Sequence, residues 1–111
     1  MSKFTSCWNK GFQMAFDNGF RLSVQWGVGN YSSRKNDGDF DASKKVDFWD
    51  SESAEIAVFN DNVDGNPIIE LREHDMVAGW LSTDTVAKVM AIVQSAKTAN
   101  EISKKCKALN L

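Results

Sequence analysis

The chain has 111 residues, 42% of them hydrophobic and 25% charged, with a single proline. That is enough for one domain with a packed core, and too apolar for a disordered chain. Net charge is −2, and no run of about 18 apolar residues occurs, so no transmembrane helix is expected.

Residues 1–11 read as an N-terminal arm or a partial strand. Phe4 and Trp8 are expected to lie across a sheet edge, with Trp8 packed on the core; an interface anchor on an exposed arm is its other reading. The stretch lacks the apolar core of a signal peptide. Cys7 and Cys106 have no metal-type spacing, and in a chain without a leader they are expected to stay reduced. The Asn30-Tyr31-Ser32 sequon then carries no weight.

Phe12 to Trp26 predicts the hairpin that nucleates the sheet. Phe12, Met14 and Phe16 alternate with polar or small residues, as do Phe20, Leu22, Val24 and Trp26. A two-residue Asn18-Gly19 loop would oppose the two apolar faces. A three-residue loop, Asp17-Asn18-Gly19, pairs Phe16 with Phe20 and aligns them, with Gly19 at positive φ.

Residues 27–41 follow as a long Gly-, Asn- and Ser-rich loop. Trp26, Gly27, Gly29, Asn30, Arg34 and Lys35 suggest an anion-binding turn, with backbone N–H groups and two cations around a phosphate. A plain connection is the default, because no helix follows as a dinucleotide fingerprint requires. Asp37, Asp39 and Asp41 alternate, and Asn60-x-Asn62-x-Asp64-Gly65 resembles the start of a calcium loop. Neither has the ligand needed at the twelfth position, where Phe48 and Leu71 stand. Both read as turns, and neither a metal nor a cofactor is expected. Phe48-Trp49 is an aromatic pair in a polar segment, either an edge plug or an exposed patch.

Ala54–Phe59 and Ile68–Leu71 read as a second hairpin, with Pro67 opening its second strand. Met76–Leu81 reads as a fifth short strand with Met76, Ala78 and Trp80 on one side. His74, the only histidine, lies between Glu73 and Asp75. It suggests acid–base chemistry, though an exposed turn residue is the expected reading. Ser82 and Asp84 open an amphipathic helix over 83–96. Thr98 and Glu101 have capping-box spacing. They open a helix striped by Ala99, Ile102, Cys106 and Leu109, expected to dock loosely over 98–111. Pairing with a second copy, or touching an acidic partner, are its other uses.

The expected fold is therefore α+β, one domain over 1–111. An antiparallel sheet of four to five strands in two hairpins is packed by one or two C-terminal helices.

Charge is uneven. Residues 37–75 hold twelve of the fifteen acidic residues and sum to −9. Such a segment is usually a solvated flank, but it also suits a basic protein surface. No continuous basic face is present, so direct binding to duplex nucleic acid is not expected.

FDNGFRLSVQWGVGNYSS, SAEIAVF and GWLSTDTVAKVMAIV, within residues 12–93, resemble small phage-encoded proteins of no agreed activity. The resemblance implies a setting, the bacterial cytoplasm during infection, and a host protein as partner, including a defence protein. It supplies no catalytic residue. Three functions follow. The first is a non-enzymatic inhibitor of a host protein with a basic surface, binding through Tyr31, Asp37, Asp39, Asp41, Phe48 and Trp49. The second sequesters a phosphate-bearing nucleotide at Gly27–Lys35. The third is a small hydrolase using His74 and carboxylates.

Overall fold

A computed structural model describes residues 2–8, 10–44 and 46–111. Five strands are present: β1 (Lys3–Ser6), β2 (Gly11–Ala15), β3 (Phe20–Gln25), β4 (Ala54–Asn60) and β5 (Val77–Leu81). They form one sheet in the order β1-β2-β3-β4-β5, each antiparallel to its neighbours. A short helix α1 (Phe40–Ser43) interrupts the β3–β4 connection, and helices α2 (Thr83–Ser95) and α3 (Ala99–Ala108) close the chain. The fold is α+β.

The first hairpin has the expected register, with Phe12 opposite Val24 and Met14 opposite Leu22. Phe16 donates its N–H to the Phe20 carbonyl at 2.9 Å, and Gly19 donates to the Phe16 carbonyl at 3.1 Å. Gly19 has φ 88°, and a Cβ there would also fall 2.1 Å from Asn62 Oδ1. The core forms where this face meets α2: Leu22, Ile56, Val58, Val89 and Val93 are fully buried.

Both cap predictions hold. Ser82 Oγ accepts the Thr85 N–H at 3.2 Å, and Thr98 Oγ1 accepts that of Glu101 at 3.1 Å. Glu101 closes back one residue earlier than a capping box, on the Lys97 N–H. Ile102 and Cys106 of α3 are fully buried, and Lys107 binds Glu70. The far end of α2 has no cap of its own. Asn18, in the hairpin turn, donates instead to the Val93 and Ala96 carbonyls at 2.8 and 3.0 Å, filling acceptors that a helix end leaves open.

Three local expectations are corrected. The arm is a full edge strand, but Phe4 and Trp8 stay 79% and 61% exposed. Phe4 lies opposite Met14, on the helix side of the sheet. However, α2 packs across β3 and β4, away from this edge strand, and leaves Phe4 uncovered. Ile68–Leu71 is not a strand. It makes one bridge, Ile68 with Phe59, because β5 takes the rest of that β4 edge; Ile69 and Leu71 turn into the core. Finally, Ala78 and Trp80 do not share a side. Between the pairs Ala54–Leu81 and Ile56–Ala78 the β5 strand holds one extra residue. This bulge puts Trp80 at φ 52° and turns its ring outward, so that Leu81 is buried instead.

Candidate binding surface

The connection from β3 to β4 is built on Trp26. Its indole N–H donates to the Trp49 carbonyl at 2.7 Å, and the Trp49 indole N–H donates to the Trp26 carbonyl at 3.1 Å. The two ends of the long loop are thereby tied together. The Arg34 guanidinium lies 4.0 Å from the centre of the Trp49 ring, and the Lys10 ammonium 5.2 Å. Lys10 is only 6% exposed. Its Nζ donates to the carbonyls of Trp8 and Val46, both at 2.9 Å, so this buried cation is hydrogen-bonded as its desolvation requires.

Within the loop, Glu55 reaches up from β4. One carboxylate oxygen accepts the Tyr31 N–H at 2.9 Å, and the other accepts from Asn30 Nδ2 at 3.4 Å. The Tyr31 carbonyl accepts the Trp80 N–H at 2.7 Å, and the two rings lie tilted at 5.4 Å. Ser33 meets Ser53 Oγ through both its N–H and its hydroxyl.

The predicted phosphate turn is folded on itself. Gly27 gives its N–H to Asn30 Oδ1, Gly29 gives its own to the Lys35 carbonyl, and Asn30 to the Gly27 carbonyl. Arg34 is paired with Asp37 at 3.3 Å, and Lys35 lies over Tyr31. The Trp26 ring packs edge-on against Phe12 at 6.1 Å, away from that turn. Most of the donors of these six residues are engaged within the protein, although Arg34 Nε is buried with no hydrogen-bond partner among the described residues.

The residues predicted for partner binding divide in two. Asp37, Asp39 and Asp41 are exposed but locally occupied: Asp37 by Arg34, Asp39 as the cap accepting the Ala42 N–H at 3.2 Å, and Asp41 by Lys44 at 3.6 Å. Tyr31 is half exposed against Trp80, and Trp49 is half-buried as the loop anchor. Phe48, beside it, is 91% exposed.

Phe40 went unnoticed in the sequence, and Trp8, expected to pack on the core rather than to act as an interface anchor, lies exposed beside it. Phe40 and Trp8 meet edge-to-face at 6.2 Å, with the Lys44 ammonium 4.3 Å from the Trp8 ring and 4.5 Å from that of Phe40. Lys10 Nζ also ties the Trp8 and Val46 carbonyls together, and Val46 is half exposed two residues before Phe48. Thirty-two residues separate Trp8 from Phe40, and no local pattern signals the contact.

His74 sits at φ 61° in the Arg72–Asp75 turn. Its ring is exposed and 3.7 Å from an equally open Glu73 carboxylate. Among the described residues, no three His, Cys, Asp or Glu side chains gather as a metal site would require. No helix is long and apolar enough to cross a membrane among the described residues. No family model matches the chain, and no curated protein or solved structure is found similar to it.

Proposed function

We propose that the chain is a non-enzymatic binding protein that grips a basic surface of another protein through the acidic, aromatic β3–β4 connection, and so inhibits it. The resemblance to small phage-encoded proteins supplies the setting. The partner is then a host protein in the bacterial cytoplasm, of the nucleic-acid-handling or defence class.

Phe48 carries this reading. It stands almost fully in solvent between Asp47 and the anchored Trp49, two residues beyond the half-exposed Val46, and Trp8 and Phe40 form a further exposed aromatic pair. Single exposed apolar residues are ordinary, but several exposed aromatics on and beside a held loop suit an interaction surface. From Asp37 to Glu52 six carboxylates accompany two lysines. Such a field speeds encounter with a basic surface, while a central aromatic supplies the affinity.

Capture from a bacterial lysate with mass spectrometry tests the reading. A basic protein is expected at low salt and is released at high salt. Phe48→Ser should weaken capture by about 2 kcal/mol, the scale of an interface hot spot. Asp47→Lys should slow association with little effect on folding. Asp39 is the wrong position to reverse, because it also caps α1. Capture indifferent both to salt and to Phe48→Ser would remove the basis of the proposal.

A further inference from the structure

The sheet is wider than the helical layer that covers it. α2 lies across β3 and β4, so the ring of Phe12 on β2 and that of Trp26 are left beside a gap. The gap is a cavity of about 490 Å³, walled by Phe12, Val24 and Trp26 from the sheet, Trp49 from the loop, and Ala87 and Met90 from α2. Its size lies within the roughly 300–1,000 Å³ of small-molecule sites.

Two features make it a formed site. The walls contributed by Trp26 and Trp49 are fixed by their reciprocal hydrogen bonds. Those bonds also consume both indole N–H groups, leaving the rings to present carbon. A rigid apolar wall binds without the ordering cost of a mobile one.

The polar lining is Asp50, Ser51 and Ser53 from one stretch of chain, with the Thr83 hydroxyl from the start of α2. Ser51 Oγ is spent on the Ser53 carbonyl, and Ser53 Oγ on Ser33. Among the described residues, Asp50 is the one ionisable group in the lining and no basic side chain lines the cavity. Asp50 takes part in none of the ion pairs among the described residues. The adjoining cleft adds Glu52 and Asp37, and its Arg34 is already bound to Asp37. A phosphate or carboxylate would meet repulsion here, whereas a cation would meet an open carboxylate.

We propose that this cavity binds an amphipathic organic cation. Its aromatic or branched hydrocarbon body rests against Trp26, Phe12 and Met90, and its ammonium group meets the Asp50 carboxylate. The cavity shares Trp49 and Asp50 with the loop of the protein-binding surface described above, but Phe48 is not part of its lining.

A matched pair of probes tests it: 1-naphthylmethylamine and 1-naphthylacetate, nearly equal in shape and opposite in charge. The indole N–H resonances of Trp26 and Trp49 are followed by NMR. The amine is expected to shift both saturably and the acid to bind at least several-fold more weakly. Asp50→Asn should weaken the amine about threefold to fivefold, as for one partly exposed ion pair. Ala87→Trp plugs the cavity from the exposed side of α2 and should abolish binding. If it lowers the melting midpoint, Thr83→Trp plugs the same space from the exposed first turn of α2. Equal binding of acid and amine, unchanged affinity in Asp50→Asn, persistence in a plugged variant that folds, or no shift with either probe would each overturn the assignment.

Discussion

Trp26 and Trp49 each donate an indole N–H to the other's main-chain carbonyl. One residue directly follows the second strand of the hairpin and the other lies 23 residues on. The pair closes the long β3–β4 excursion as a clasp. Trp49→Phe keeps most of the ring but deletes one donor and leaves the Trp26 carbonyl unpaired. A half-buried acceptor left unmet costs about 1–3 kcal/mol. Urea unfolding should show that loss, and amide exchange should speed up across residues 27–52. A variant with wild-type stability and exchange would show that the clasp holds nothing.

Asn18 and Gly19 make the hairpin turn do two jobs. Asn18 caps α2 from a distance through the Val93 and Ala96 carbonyls, and its Oδ1 accepts the Phe20 N–H at 3.1 Å. Asn18→Ala should cost about 1–2 kcal/mol, comparable with losing a good helix cap. Gly19→Ala should cost more than Gly65→Ala. Both glycines are at φ near 89°, but only at Gly19 would the new Cβ strike Asn62. Thermal melts of the two alanine variants decide this, and equal shifts would mean that the Asn62 side chain simply swings away.

What could be read in advance was whatever the chain encodes locally. The hairpin register follows from apolar alternation and from Gly19 at positive φ, and both helix starts follow from Ser82 and Thr98. What could not be read was set by distant neighbours. Alternation places Phe4 on the apolar face, but only the narrowness of the helical layer leaves it exposed. Trp80 faces outward because β5 carries an extra residue, and one residue reverses every later side chain. In the loop, Phe48 stands out as an aromatic among polar residues. Its neighbour Trp49 gave no sign of its partner, because side chain meets main chain across that long separation. The cavity behind them is likewise a product of layer widths, invisible to any window of sequence.

Alkaline pH should loosen the C-terminal helix. Burial pushes the Cys106 thiol up to about 11, so the folded state keeps a proton that the unfolded chain releases at lower pH. Stability is therefore constant below the unfolded thiol's range and falls as pH rises towards 11, by at most about 1.4 kcal/mol per unit. Lys107 acts in the same direction. Its hydrogen bond to Glu70 raises its pKa, and that contribution is lost as the ammonium deprotonates. On the acid side, Lys107 holds the Glu70 carboxyl below the usual range, and Lys105 does the same for Glu101. Their contributions are present at neutral pH and fade as pH drops through the folded values. Melting midpoints across pH should thus form a plateau that declines at both ends. Cys106→Ala should lower the plateau but flatten its alkaline slope. An alkaline slope unchanged in that variant would assign the decline to other groups.

At Gly79 the loop packs directly on the sheet. A Cβ there would lie 2.5 Å from Tyr31 Cβ and 3.0 Å from the Tyr31 carbonyl oxygen, which accepts the Trp80 N–H. Neither neighbour is the free end of a flexible chain. Gly79→Ala must therefore push the Tyr31 segment outward, at about 1–3 kcal/mol as for other overpacked sites. The displacement should also break the contact between the Tyr31 and Trp80 rings and strain the Glu55 bond to the Tyr31 N–H. Limited proteolysis separates this local effect from general destabilisation. Cleavage should rise within 27–52, while the α2–α3 region stays protected under the same conditions. Uniform cleavage along the chain would show instead that Gly79 supports the sheet as a whole rather than the loop it carries.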